Sequence, residues 1–264
     1  MNILQKMKLY TIPIISFNEN KKIESCFSGC LLLFRGFLFI LSVAHGIKSK
    51  NSKVAIIMHN LPMLHNIPNW YCFNPTRLKQ FRTKYNTSFS KILIKILKLF
   101  KLKIDYTSLL FKHIGGIDFM SSIVFLNNLP IHSLPLNSEL LGQWKYYFNQ
   151  NQIKEPNTSE SYSFYGMTNF RTTSSSFLCD EIFATNISFI ETKGFYHRFQ
   201  LKQHFHELKG CSGSPIVDNN GNLISLVIKK DKIYNDIVYG INLKMAELSF
   251  HQEVNAITGE EKYG

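Results

Sequence analysis

Six residues, Gly210-Cys211-Ser212-Gly213-Ser214-Pro215, constrain this chain more than any other segment. A serine between glycines, with proline and the apolar pair Ile216-Val217 behind it, describes a tight turn running into a strand. The glycines let the backbone bend sharply and let a substrate carbonyl approach the main chain. A hydroxyl at the tip of such a turn is placed as a nucleophile, and the amides of Gly210 and Ser212 are candidates to converge on one point as an oxyanion hole. Serine alone is a poor nucleophile, so this reading requires a base and an orienting acid elsewhere in the chain.

The base candidate is His45. Residues 30–34 and 37–43 are apolar runs broken by Arg35-Gly36, and the second leads into Ala44-His45-Gly46. Two such runs around a short glycine-containing break predict a β-hairpin. The histidine follows its second strand between two small residues, which leave the imidazole room to face a cleft. The acid candidate is Asp118, which interrupts an apolar stretch just after Gly115-Gly116. A carboxylate in such a run tends to be buried, and a buried charge needs a partner, for which an imidazole N–H is suited. Neither His59, His65, His113, His132, His197, His204, His206 nor His251 has an equivalent strand-end setting, and Asp105 follows a lysine-rich run that suits a solvated carboxylate. Asp180 and Asp218 fall close in sequence to the serine.

Ala44-His45 after an apolar strand, Ile117-Asp118-Phe119, and Gly210-x-Ser212-Gly213-x-Pro215 together resemble the three signature segments of chymotrypsin-like serine peptidases. Their order, His then Asp then Ser, is the order of that clan and differs from subtilisins and α/β-hydrolases. The Gly-Ser-Pro ending looks more like bacterial enzymes of the glutamyl endopeptidase type than like digestive trypsins. The resemblance implies an all-β fold of two six-stranded Greek-key β-barrels with the active site in the cleft between them. It implies that Ser212 attacks a peptide carbonyl, that His45 takes and returns its proton, and that Asp118 orients the imidazole. By the family's layout the specificity pocket would involve His206, Lys229 and Lys230, a cationic set favouring an acidic or polar side chain before the cut bond. Cys211 stands where activated digestive enzymes carry an aspartate that pairs with a newly cut N-terminus, so no activation of that type is expected here. The interval between His45 and Asp118 is long for the family and implies a partly helical insertion.

The rest of the sequence supplies a frame for this site. Domains are expected at 1–136 (a first barrel carrying the insertion 59–112), 137–160 (a polar linker) and 161–264 (a second barrel with a short C-terminal helix). Leu9 to Phe17 reads as a lead-in strand; Tyr162 to Met167, Phe183 to Ile190, Asn222 to Ile228 and Ile237 to Leu243 read as strands of the second barrel. Hydrophobic residues make up 45%, enough for a substantial core. The five cysteines do not form an extracellular disulfide framework, and no metal or cofactor motif is present. The N-terminus lacks the pattern of a signal peptide, and no apolar run is long enough to span a bilayer, so a cytoplasmic setting is expected.

The net charge of +12 favours association with polyanions or anionic surfaces. No nucleic-acid-binding motif accompanies it. Lys91, Lys95 and Lys98 share one helical face within residues 91–103, a basic amphipathic pattern suited to an anionic surface or an acidic partner, or to packing on the barrel with the lysines in water. Three function classes stand: a serine endopeptidase acting on protein or peptide, a catalytically silent module of the same fold, and a basic membrane- or nucleic-acid-associated protein. Oligomeric state is not encoded legibly.

Overall fold

The computed structural model describes residues 3–20, 22–47, 52–57, 64–66, 71–72, 119–124, 147–172, 177–205, 207–231 and 233–258. The fold is all-β, built as two sheets in chain order. The first contains β1 (Thr11–Phe17), β2 (Ile23–Phe34), β3 (Phe37–Ser42), β4 (Lys53–Ile57), β5 (Leu64–Asn66), β6 (Tyr71–Cys72), β7 (Met120–Val124) and β8 (Tyr147–Asn149). Its path is β5-β4-β1-β2-β3-β7-β6, with β8 pairing parallel to β2. A helix, α1 (Ile3–Tyr10), precedes it, so the predicted lead-in strand begins at Thr11 and its first two residues belong to the helix.

The second half closes into a six-stranded barrel, β10-β11-β14-β13-β12-β9. Its strands are β9 (Ser161–Thr172), β10 (Phe177–Lys193), β11 (Tyr196–Gln200), β12 (Pro215–Asp218), β13 (Leu223–Lys230) and β14 (Ile237–Ile241). β12, β13 and β14 follow one another as hairpins, and β11 lies beside β14, which makes a Greek key. Closure leaves no open sheet edge to aggregate. Of the predicted strands, Tyr162 to Met167 and Phe183 to Ile190 fall within β9 and β10, Asn222 to Ile228 overlaps β13 from Leu223 onward, and Ile237 to Leu243 overruns β14, which stops at Ile241 before Leu243 opens a helix.

The apolar run that leads to the histidine has a packing cause. Along β2 and β3 the side chains alternate between two cores. Cys30, Leu32, Phe34, Phe39, Leu41 and Val43 join the cluster that extends into the second barrel, whereas Phe27, Leu31, Leu38 and Ile40 join the first sheet's own cluster. A strand buried on both faces has no polar face to show, so its sequence reads as a continuous apolar run. The hairpin turns through Arg35 and Gly36, both at positive φ (49° and 82°), the pair of conformations a tight type I′ connection demands. The predicted hairpin is therefore present.

The chain ends in a second helix, α2 (Leu243–Thr258), longer than the short terminal helix the sequence suggests. Asn242 accepts hydrogen bonds on Oδ1 from the N–H groups of Lys244 and Met245 at 3.0 and 3.4 Å and so caps its first turn. Leu243, Ala246, Phe250 and Val254 form its buried stripe. Phe250 packs against Phe34, Phe39 and Phe119 at ring-centroid distances of 5.5, 5.2 and 5.8 Å, a burial worth about 1.5–3 kcal/mol.

This helix also buries a carboxyl group. Glu253 Oε1 accepts a hydrogen bond from Ser121 Oγ on β7, and its buried Oε2 has no hydrogen-bond partner among the described residues. Burial pushes the carboxyl up from 4.5 to about 7, opposed by the Ser121 bond. Its folded pKa lies above the unfolded one, so the folded state holds the extra proton between pH 4.5 and about 7. Stability from this group is present below 4.5 and is lost as pH rises through 7, a change on the order of 3 kcal/mol. The opposite slope comes from His197, buried in β11 and lowered from 6.5 to about 4 by burial, whose stability contribution is lost as pH falls through that window. Glu253→Gln should remove the first slope alone: urea melts at pH 5 and pH 8 should then differ in the direction set by His197. A variant that still loses stability above pH 6 to the same extent as the native protein would exclude Glu253 as the cause.

Candidate active site

Two consecutive turns shape the segment around Ser212. In the first, the Cys211 N–H donates to the Leu208 carbonyl at 3.0 Å; in the second, the Ser214 N–H donates to the Cys211 carbonyl at 2.9 Å. Each turn has a glycine as its third residue, Gly210 at φ 104° and Gly213 at φ 89°, a region that side chains with a Cβ rarely adopt. This is the physical reason for the Gly-x-Ser-Gly spacing. Cys211 is shared by both turns and fully buried, while Ser212 sits half-exposed at the second turn's shoulder.

The turns are fastened on two sides. Toward the second barrel, the Gly213 N–H donates to the Val227 carbonyl at 2.6 Å and the Val227 N–H to the Ser214 carbonyl at 2.9 Å. Toward the first sheet, Ser28 of β2 donates its N–H to the Ser212 carbonyl at 2.8 Å and its Oγ to the Gly210 carbonyl at 2.9 Å. Ser42 Oγ in turn donates to the Ser28 carbonyl. The N–H groups of Gly210 and Ser212 themselves have no hydrogen-bond partner among the described residues. Sequence reasoning missed Ser28 and Ser42, because neither carries a local motif.

His45 reaches the same place from the first sheet. Val43 follows β3, and residues Ala44–Gly46 form a short 3₁₀ turn that leaves the imidazole exposed between buried neighbours. A cleft of about 410 Å³ is lined by His45, Leu208, Lys209, Ser212, Ile228, Lys229 and Lys230. The base and nucleophile candidates, distant in sequence, therefore face one cavity. Ser212 Oγ donates to the Ile228 carbonyl on β13 at 2.9 Å in this conformation, so a rotation of its side chain is needed to direct that proton to an imidazole.

Asp118 and His206 lie outside the described residues, as do Asp105 and residues 91–103. The neighbour of Asp118, Phe119, is fully buried against Phe250, and Met120 pairs with Ser42 in the β3–β7 register. The described aspartates are engaged elsewhere. Asp218 holds the β12–β13 hairpin by accepting from the Asn220 and Asn222 N–H groups at 2.9 and 2.8 Å. Asp180 accepts from Asn169, Asp236 from Gln200, and Asp231 from the turn amides of Ile233 and Tyr234.

The thiol beside the serine is chemically quiet. Burial raises Cys211 from 9.0 to about 12, so at neutral pH it is a neutral thiol walled from solvent. A Cβ on Gly166 would come within 2.5 Å of its sulfur, which shows how tightly β9 covers it. Iodoacetamide should leave Cys211 unmodified in the native protein at pH 8 and reach it only after unfolding, as read by peptide mass mapping. Rapid alkylation in the folded state would contradict the burial.

Neither a family model nor a curated protein matches the sequence. Solved structures do match the fold. A serine endoprotease from Yersinia pestis is similar over 96% of this chain, with 12% identity and a TM-score of 0.52; the match spans 66% of that protein's chain. The scabies mite inactivated protease paralogue S-D1 is similar over 98% of this chain and 97% of its own, with 10% identity and a TM-score of 0.53. Two sheets of antiparallel strands, a closed Greek-key barrel and a glycine-framed serine turn at the cleft give this chain the fold of the chymotrypsin-like serine peptidases.

Proposed function

We propose that the protein is a serine endopeptidase that cleaves peptide bonds through an acyl-enzyme at Ser212. The observation that carries this reading is the convergence of His45 and Ser212 on one cleft from two different sheets. Ser212 Oγ turns from the Ile228 carbonyl to the imidazole, gives up its proton and attacks the substrate carbonyl. The N–H groups of Gly210 and Ser212 receive the developing oxyanion, where one such donor is typically worth about 3 kcal/mol. His45 then hands its proton to the leaving amine, and water repeats the sequence to release the acid.

Asp118 is the proposed orienting acid. The Ser42–Met120 register supports it, because it sets the strand leading to His45 alongside the strand that follows Asp118. The engagement of Asp180, Asp218, Asp231 and Asp236 in other bonds also points to it. His206, Lys229 and Lys230 are the proposed specificity set, and residues 91–103 the proposed contact with an anionic surface or acidic partner.

The test is covalent. A fluorophosphonate probe should label the native protein at Ser212. Ser212→Ala should abolish the label, and His45→Ala should reduce it sharply because the hydroxyl loses its base. A folded native protein that takes no label would set aside the peptidase reading in favour of a silent module of the same fold.

A further inference from the structure

The cleft beside Ser212 carries three ammonium groups, from Lys209, Lys229 and Lys230, and among the described residues that line it there is no carboxylate. None of the three forms an ion pair with a described residue. The acid next in sequence, Asp231, is already taken up by two turn amides and by the Tyr239 hydroxyl, at 2.7, 3.0 and 2.7 Å. The described lining of the cleft therefore places positive charge beside the Ser212 hydroxyl.

The three lysines are not equivalent. Lys209 and Lys229 are exposed, and Lys229 Nζ rests over the Tyr239 ring at 5.3 Å from its centroid. Lys230 is half-buried, and its Nζ donates to the Phe205 carbonyl at 2.7 Å. That bond fixes the ammonium and uses one of its three donors, leaving two without a partner among the described residues. It stands two residues along β13 from the carbonyl that receives the Ser212 hydroxyl. A fixed, partly desolvated donor selects more sharply than a mobile surface one, because less ordering is required when the ligand arrives.

We propose that Lys230 is the specificity determinant of this cleft and that it selects an aspartate or glutamate side chain in the polypeptide seated beside Ser212. Lys209 and Lys229 add attraction at longer range, which raises the rate of encounter and is screened by salt. The hydrolytic side of this statement rests on the peptidase reading above; the recognition of a carboxylate does not.

The experiment uses three fluorogenic peptides that differ only in the residue before the cleaved bond: Glu, Gln or Lys. The native protein should cleave the Glu peptide with a kcat/KM at least tenfold above that for Gln. Lys230→Met should erase this ratio while fluorophosphonate labelling of Ser212 persists, and Lys230→Arg should largely keep it. Lys229→Gln should lower the ratio far less than Lys230→Met does and weaken its dependence on salt. A second arm measures binding of the same sequences, as acetylated amides, to the Ser212→Ala protein by calorimetry. Glu-selective binding that Lys230→Met removes supports the carboxylate site even where no hydrolysis or labelling occurs, and that failure then counts against the peptidase reading alone. Equal treatment of Glu and Gln in both arms, or a Glu preference that survives Lys230→Met, would overturn the proposal.

Discussion

Ser212→Ala should lower the hydrolysis of a cleaved peptide by about a millionfold, the scale on which a triad acting as one unit collapses when its nucleophile is removed. In the proposed mechanism the Oγ is the atom that bonds to the substrate, and no other described group in the cleft takes that part. Cys211, next in sequence, is buried with its thiol pushed up to about 12, and no rotation brings a buried neutral thiol into the role. His45→Ala should cost a comparable factor, and the double variant should be little worse than either single one, because each removes the same proton transfer. Steady-state rates with a common fluorogenic substrate supply the comparison. Additive losses in the double variant would indicate that the two side chains do not work as a unit, and near-native rates in either single variant would refute the assignment.

Gly213→Ala should also damage activity strongly, although no reacting atom is removed. Two costs combine at this position. The backbone lies at φ 89°, where a Cβ is strained by about 1–2 kcal/mol. In addition, the new Cβ would stand 1.9 Å from the Ser28 carbonyl oxygen and 2.4 Å from Ser42 Oγ. The first of these is backbone in the middle of β2, which cannot swing aside as a side-chain tip can. The turn must move instead, and it carries Ser212 with it. A displacement of about 1 Å at the reacting centre can cost 100-fold, so a loss of at least that size is expected together with a lowered melting temperature. Gly221→Ala is the matched control: φ is 83° there, but nothing lies within 4 Å of the added Cβ. It should show the conformational cost alone, about 1 kcal/mol, with Ser212 labelling intact. If the two variants behave alike, the close approach of β2 to the serine turn is not what holds the nucleophile in place.

Local chemistry was readable residue by residue. The glycines at 210 and 213 announced a tight turn, which the structure shows as two in succession, Arg35-Gly36 announced a hairpin, and the strands behind the serine were visible from their apolar runs and polar breaks. Other elements carried a weaker or competing signal. α2 has an N-capping Asn242 and a buried stripe at Leu243, Ala246, Phe250 and Val254, but its start abuts β14, and the apolar run from Ile237 masks the change of period. α1 is only eight residues long, and an isolated helix of that length has little intrinsic stability; its packing on β1 and β9 supports it, with the surface pair Lys8–Glu181 alongside. Tyr147–Asn149, in the stretch read as a linker, is too short to show a strand pattern, and it pairs in parallel with Leu31–Leu33 of β2.

By itself the sequence determined which side chains stand as candidates and the shape of short turns, since propensity, glycine placement and apolar periodicity act over a few residues. Tertiary structure alone decided that Ser28, 182 residues before Gly210, would grip the serine turn through two hydrogen bonds. It also decided that His45 would open onto the same cleft, and that of three nearby lysines one would be tied to a backbone carbonyl. Such contacts depend on how two separately formed sheets pack against each other, and no window of neighbouring residues encodes that packing.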